Sequence, residues 1–457
     1  MASPAKFPLF VPYPSMEKLT LPPIQRFTGS VRPPGSKSIA NRALPLAAVA
    51  RGTTRLENLP DGEDVTLMRQ GLEKLGISIL PPDGGSGGDT VIVTGQGGGL
   101  RAPDGDVSLY LGNSGTATRI LTALLSAGDG IFHIDGVPRM RERPIGHLVD
   151  ALMPLAGNTR IIYEGHEGFL PLRIEARGLA GGRTRIRGDL SSQFTTGLIL
   201  ALPLCHDSAE FEVDGKLVSA PYVDLTLQIM ETFGAKIERE GRLRFWIDNP
   251  SGYQSPGTFS IEPDASSASY FLAAAAIVGG PVTVLGLHKN SPQGEVGFAE
   301  VLRRMGANVE YGSDGITVSR SVGAIHELPP LHGIDADMDM MSDTGMTLAI
   351  TALFADGPTT IRNIGNWRVK ETDRIHAMAT ELRKVGATVE EGPDSLVIHP
   401  PSALRSAEID TYDDHRMAMC FSLISLGGVE VTIRDPGCVR KTYPGYFDDF
   451  KRMAGLG

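Results

Sequence analysis

A chain of 457 residues with 41% apolar side chains can bury more than one core, and ordinary domain sizes make two or three domains the expectation. Its formal net charge of −10 argues against a general nucleic-acid or membrane-surface binder, yet a local cluster of Arg and Lys can still act inside a low-dielectric cleft. Cys205, Cys420 and Cys438 lack paired C-x-x-C spacing and read as buried free thiols. No stretch approaches ~18 uninterrupted apolar residues, and Met1 to Ser15 lacks the charged-then-apolar pattern of a secretory signal, so a cytoplasmic enzyme is expected. That leader, carrying Pro4, Pro8, Pro12 and Pro14, reads as an extension or a transit-peptide remnant, with Met16 an alternative start.

Taken in chain order, one α/β pattern recurs six times: a polar cap, a helix of small and apolar residues, a Gly turn and a β-like alternation. The caps read as Ser36, Asn113, Ser191, Asp264, Ser342 and Asp413, spaced 77, 78, 73, 78 and 71 residues apart. After each of the first five comes an amphipathic helix that stops at a glycine before a strand, at Gly76, Gly157, Gly234, Gly306 and Gly386. The sixth copy breaks off after its helix, from Phe450 onward, so its closing strands must come from elsewhere, and the N-terminal residues are the obvious donor. Both chain ends then share one discontinuous domain, residues 1–34 plus 262–457, into which residues 35–261 are inserted as the second, with crossings near Pro34 and Ile261 and three copies on each side.

Each first helix begins with a residue that can cap exposed N–H groups, and such termini attract phosphate or carboxylate. A cap alone explains any single start. Several starts carry more: Lys37, Ser38 and Arg42; Asn113, Gly115, Thr116 and Arg119; Ser191, Ser192 and Gln193; His415 and Arg416. Lys37 and Arg42 project from the first turns toward an end that is already positive, a crowding that destabilises unless an anion compensates it. The run from Asn366 to Arg374 reads, by itself, as a solvated and salt-bridged loop. Beside Pro138-Arg139-Met140-Arg141-Glu142-Arg143-Pro144 the functional reading is preferred: Arg374 grips a carboxylate bidentately, with Lys370 and Glu371 working next to it. Copy four, starting Asp264-Ala265-Ser266-Ser267-Ala268, has the cap without a basic partner and reads as structural.

Pro34-Gly35-Ser36-Lys37-Ser38, Gly112-Asn113-Ser114-Gly115-Thr116, the Arg143 loop, Ser191-Ser192-Gln193, Asn366 to Arg374 and Asp414-His415-Arg416 together resemble the 5-enolpyruvylshikimate-3-phosphate synthase family. Order and spacing agree over nearly the whole chain from Met16 onward; the short motifs are individually weak, whereas Trp367 to Arg374 and Arg139 to Leu148 are specific. The resemblance implies an enzyme of the shikimate pathway, on the route to chorismate and the aromatic amino acids. It implies transfer of the enolpyruvyl group of phosphoenolpyruvate to shikimate 3-phosphate, by addition and elimination through a tetrahedral intermediate, with no metal and no organic cofactor. It implies a monomer acting on small molecules, with an α/β two-domain enolpyruvyl transferase fold of six βαβαββ repeats, three per domain. The discontinuous domain would face phosphoenolpyruvate and the inserted one shikimate 3-phosphate, with the active site in the cleft between them.

Carried over by the same resemblance, Ser191, Ser192 and Ser219 hold the phosphate of shikimate 3-phosphate, while Ser38 and Arg42 hold its carboxylate and ring side. Lys37, Gln193, Tyr222, Asn366 and Lys370 complete that half. Arg374 and Arg416 take the carboxylate of phosphoenolpyruvate, and Lys37, Gly115, Arg143, Gln193 and Lys441 surround its phosphate. Asp343 receives the proton of the attacking hydroxyl; Glu371 with Lys37 delivers and recovers the proton at the methylene carbon. A helix start lowers the pKa of Asp343 and makes it a weak base, which favours an orienting role. Binding of the phosphoenolpyruvate-mimicking herbicide glyphosate is implied, in weakened form, because Thr118 and Ile120 stand where many members have Met and Pro.

The related UDP-N-acetylglucosamine enolpyruvyl transferase shares the six-unit fold but usually places a reactive Cys on its active-site loop, and no Cys lies near Arg139 to Arg143. A nucleotide-dependent kinase needs G-x-x-x-x-G-K-[ST], which Gly35-Ser36-Lys37-Ser38 does not provide. An inert repeat scaffold explains the periodicity but not the charged helix starts.

Overall fold

A computed structural model describes residues 17–82, 88–320 and 328–456; the leader Met1 to Ser15 lies outside them. Unit two shows the building plan in one stretch. Strand Arg101–Tyr110 leads to the capped helix Gly115–Ser126 and strand Asp129–Asp135, then helix Gly146–Leu152 leads to strands Arg160–Tyr163 and Leu172–Arg177. The first two strands pair in parallel, as a helical crossover requires, and the later pairings are antiparallel. Leu172, Ile174 and Ala176 alternate inward against the helices, while the residues between them are more exposed.

Units three and five repeat this order contiguously, and units one and four complete it by exchange. The first strand of unit one, Thr258–Ser260, arrives after unit three and pairs in parallel with Thr53–Glu57. The first strand of unit four, Gly29–Val31, precedes unit one and pairs in parallel with Val282–Leu285. The two exchanged connections run side by side, with Ser36 N–H donating to Glu262 O at 2.7 Å and Asp264 N–H to Pro34 O at 2.9 Å. Unit six pairs Ala407–Ile409 with Val431–Arg434 and is closed by Lys18–Leu21 from the other end of the chain, antiparallel to Val431–Arg434. The N-terminal residues thus donate strands to two units, four and six.

One core gathers buried side chains from Ile39 to Ile261; the other gathers those from Leu19 to Val31 together with those from Ala265 to Met453. The capped helices, such as Ala265–Val278 with its Phe-Leu-Ala-Ala-Ala-Ala run, are apolar almost all round and therefore sit inside these cores. The second helices bury one face, as Tyr446–Met453 does with Tyr446, Phe450 and Met453. All five of their predicted stops lie in the left-handed region, from φ +56 at Gly157 to φ +105 at Gly306. Among the described residues no helix is long and apolar enough to cross a membrane.

Three caps fall where the sequence places them, at Ser36, Ser191 and Asp264. The other three do not. Unit two is capped at Ser114, because the Asn113 side chain is taken by Arg143. Unit six is capped by Asp414, with Asp413 at φ +54 turning the chain into the helix. In unit five Ser342 lies inside a 3-10 turn, Asp339–Thr344, kinked at Met341, and the α-helix begins only at Gly345.

Candidate active site

Between the two cores lies a cleft with about 530 Å³ of empty space. One wall carries Lys37, Ser38, Arg42, Asp64, Gly115, Thr116, Arg143, Ser192, Gln193 and Tyr222; the other carries Asp343, Lys370, Glu371 and Arg374. Three helix N-termini supply Lys37 with Ser38, Gly115 with Thr116, and Ser192 with Gln193, so amide donors of three dipoles share one space. A smaller adjoining space brings Ser191 and Asn366 beside Arg119, Arg143 and Lys370. Ser219, Arg416 and Lys441 line neither space. Ser219 sits at φ +52, donates its N–H to Asp339 at 3.1 Å and accepts from Asn366 Nδ2 at 3.0 Å, which joins the two walls.

At one end of the cleft the buried Asp64 carboxylate lies 3.3 Å from Lys37 Nζ and 3.0 Å from Lys441 Nζ. Burial works to raise the Asp64 pKa, but Lys441 and Lys37 outweigh it and hold the carboxyl below its usual range. The crowding of Lys37 and Arg42 is therefore compensated by the protein itself. Asp64 neutralises Lys37, and the Arg42 guanidinium turns away to donate to Thr226 Oγ1, Thr196 Oγ1 and the carbonyls of Ser38 and Tyr222. Arg42 is pushed down to about 10 by burial, the fields of Tyr222 and Glu295 opposing. Arg143 Nη1 donates to Asn113 O and Oδ1, and Lys441 Nζ reaches the same Asn113 carbonyl at 3.1 Å. A Cβ on Gly115 would stand 2.4 Å from Arg143 Nη2, so this position must be glycine for the guanidinium to lie over the helix start.

At the other end Asp343 gathers Arg416 at 2.8 Å, Arg374 at 3.2 Å and Lys370 at 3.5 Å. Burial favours the protonated acid, but these three cations prevail and hold its pKa well below the usual carboxylate range. Arg374, 1% exposed, does grip a carboxylate bidentately, but it is that of Asp414, through Nε at 2.7 Å and Nη2 at 3.2 Å. Arg374 Nη1 is the nitrogen that donates to Asp343 Oδ1, so each guanidinium nitrogen already faces a carboxylate. Arg416 Nη1 donates to Tyr270 Oη at 3.1 Å. His415, between these residues, is fully buried without a hydrogen bond to either ring nitrogen, and burial followed by the fields of Lys37 and Arg416 keeps it neutral.

Glu371 lies between the two ends, with Arg374 Nη2 3.0 Å away. Burial would raise its pKa, yet Arg374, Arg143, Lys441 and Lys37 together hold it well below normal. Arg139 reaches across the cleft and donates to the carbonyls of Glu371 at 3.2 Å and Lys370 at 3.1 Å, fixing the backbone that carries both side chains.

Cationic groups of both walls thus converge around three ionised carboxylates, Asp64, Asp343 and Glu371, with three helix N-termini opening on the same space. A sequence model of EPSP synthase (3-phosphoshikimate 1-carboxyvinyltransferase) matches residues 21–450. The chain belongs to the EPSP synthase family. A 3-phosphoshikimate 1-carboxyvinyltransferase of Paraburkholderia phytofirmans is 53% identical over 444 residues, covering 96% of this chain and 100% of that one. One from Paraburkholderia phymatum is 55% identical over 441 residues, covering 95% and 99%. The solved EPSP synthase of Acinetobacter baumannii matches with a TM-score of 0.77 at 27% identity, over 95% of this chain and 98% of that one. The enolpyruvyl transferase NikO of Streptomyces tendae, at 19% identity and a TM-score of 0.73 over 96% and 98%, shares the fold.

As an EPSP synthase family member the chain has the two-domain enolpyruvyl transferase fold and is a transferase. Sequence reasoning missed two acidic residues of this EPSP synthase site and misread a third. Asp64 reads as an ordinary first-turn acid of helix Glu63–Lys74, and only its burial beside Lys441 sets it apart. Asp414 was visible in its motif, but not as the partner of Arg374. Glu295 comes from unit four, which the sequence assigns a mainly structural role; the Tyr222 hydroxyl donates to it across the cleft. All three thiols are buried, and burial pushes Cys205 and Cys420 up to about 12.

Proposed function

We propose that this chain transfers the enolpyruvyl group of phosphoenolpyruvate to shikimate 3-phosphate, giving 5-enolpyruvylshikimate 3-phosphate and phosphate. The observation that carries the reading is the meeting of Lys37 and Arg143 from one wall with Lys370 and Arg374 from the other around Glu371. Each substrate brings a carboxylate and a phosphate, so their approach is opposed by Coulomb repulsion unless cations surround both. Ser191, Ser192 and Ser219 take the phosphate of shikimate 3-phosphate, with Ser38, Arg42, Gln193, Tyr222, Asn366 and Lys370 around the ring. Arg374 and Arg416 take the carboxylate of phosphoenolpyruvate; Lys37, Gly115, Arg143, Gln193 and Lys441 enclose its phosphate.

Protonation of the methylene carbon by Glu371, assisted by Lys37, makes the adjacent carbon electrophilic, and the substrate hydroxyl attacks it while Asp343 orients that hydroxyl and receives its proton. The ketal phosphate then expels phosphate toward preorganised Lys and Arg, and Glu371 recovers a methyl proton. Glu371 is held ionised by the cations around it. A bound phosphate offsets their field and raises its proton affinity, so substrate binding itself arms the acid. Residues 1–34 plus 262–457 and residues 35–261 act as the two closing domains of a cytoplasmic monomer, and closure assembles the site. Phosphate release measured with both substrates tests the reading. Release that requires shikimate 3-phosphate is expected, and release with UDP-N-acetylglucosamine in its place would overturn it.

A further inference from the structure

We infer that Glu295 is a positioning residue of the transfer, taking up through the Tyr222 hydroxyl the proton that Asp343 receives from the attacking substrate. The inference rests on the proposed reaction and on the placing of Asp343 at the substrate hydroxyl.

Glu295 sits in a 3-10 turn of unit four, Gly294–Gly297, and is 5% exposed. Its neighbour Gly294 brings it there. A Cβ on Gly294 would lie 2.7 Å from Met340 O and 2.8 Å from Pro221 Cβ, so only glycine lets this turn press against the helix Pro221–Thr232 that carries Tyr222. Tyr222 has one proton to give and gives it to Glu295 Oε1, which turns its oxygen lone pairs toward Asp343 Oδ2, 3.4 Å away. An oxygen so placed is an acceptor for Asp343 once Asp343 is protonated.

The groups facing Glu295 come from each neighbouring element: Tyr222, Asp343, Asp264 at the cap of Ala265–Val278, and Arg42. Among the described residues no cation forms an ion pair with it. The step balances as follows. The O–H bond of the substrate hydroxyl breaks as its oxygen bonds the electrophilic carbon, and the proton goes to Asp343 Oδ2. Asp343 passes a proton to Tyr222 Oη, and Tyr222 Oη–H passes its own to Glu295 Oε1. Direction follows from environment. Three cations keep Asp343 well below the ordinary carboxylate range, whereas burial, with Asp343 and Asp264 adding to it against the Tyr222 hydrogen bond, lifts Glu295 to about 7. A proton arriving at Asp343 therefore runs downhill to Glu295, and the weak base anticipated at a helix start becomes a relay.

The test is Glu295→Gln in the full chain, a near-isosteric change, with Glu295→Asp beside it. Glu295 accepts a proton only when ionised, so kcat of the parent protein rises as pH climbs through about 7. In Glu295→Gln we expect kcat above pH 7 to fall about tenfold to a hundredfold, KM of both substrates to stay within about threefold, and the acid limb to disappear. Glu295→Asp is expected to recover part of kcat and the limb. An unchanged acid limb in Glu295→Gln overturns the inference whether or not kcat falls, as does a loss matched by raised KM and a lowered melting temperature. A parent protein that releases no phosphate from the two substrates overturns the proposed reaction first, and is recognised before any variant is compared.

Discussion

The two ends of the cleft solve one electrostatic problem differently. Asp64, buried, and Asp343, partly buried, are each carboxylates among cations, but the cations of Asp64 come from opposite walls, Lys37 from its own and Lys441 from the other. Those of Asp343, namely Lys370, Arg374 and Arg416, all come from its own side, and what reaches it from across is the Tyr222 hydroxyl. Opening the cleft would therefore separate opposite charges at Asp64 but only part a neutral hydroxyl from the carboxylate at Asp343. The Asp64 end is thus an ion-pair contact between the walls, while the Asp343 end is an ion-pair cluster built from one wall.

The largest effect expected from breaking this comparison is at the Asp343 end. Asp343→Asn should lower kcat by about 10²–10⁴-fold with both substrates still bound, measured by steady-state turnover and equilibrium binding; near-normal turnover would remove Asp343 from the chemistry altogether. Next comes its support. Asp414→Asn leaves Arg374 buried without its bidentate partner and should destabilise the fold by about 3–5 kcal/mol, read from urea midpoints. Asp64 offers a subtler distinction through pH. Its folded pKa is depressed, so its ion pairs stabilise the protein above the unfolded value of about 3.9 and are lost as pH falls through the folded value. Asp64→Asn should accordingly be less stable than the parent at pH 7, with the gap narrowing below about pH 4; a gap that stays constant with pH would show that charge is not what Asp64 contributes.

The smallest effect concerns glyphosate. The Thr118 hydroxyl is satisfied within its own helix by Ser114 O at 2.8 Å, and Ile120 is fully buried, so both shape the helix behind Gly115 without entering the cleft. Competition with phosphoenolpyruvate, in weakened form, is expected in inhibition kinetics. Its absence even at high inhibitor concentration would count against the placing of phosphoenolpyruvate beside Gly115.

The contrast also explains what the sequence could reveal. Units were legible because helix caps and stopping glycines are local: Gly76 or Gly386 needs only its own backbone to declare itself. Caps slipped by one residue where a side chain was claimed from afar, as Asn113 is by Arg143. Arg374 and Arg416 stood out because charged residues at helix starts are conspicuous, but their partners did not. Asp64 and Glu295 look like ordinary surface acids, and what distinguishes them is burial against Lys441 and Tyr222, hundreds and tens of residues away. Unit four reads as mainly structural for the same reason, since the close approach at Gly294 depends on Pro221 in another unit.

The strand exchange at the crossings has a consequence for synthesis on the ribosome. Residues 35–261 contain every strand their three sheets require, because Thr258–Ser260 arrives just in time to complete unit one. They can settle while the rest of the chain is still being made. Gly29–Val31 must wait for Val282–Leu285, and Lys18–Leu21 must wait for Val431–Arg434, the last strand to be made. At roughly 5–20 residues per second the second wait lasts on the order of 20–80 s. Strands left unpaired that long invite pairing with other chains, and these two are only four and three residues long, with Lys18 and Thr20 exposed on the first. Their brevity suits segments that emerge well before the strands they pair with.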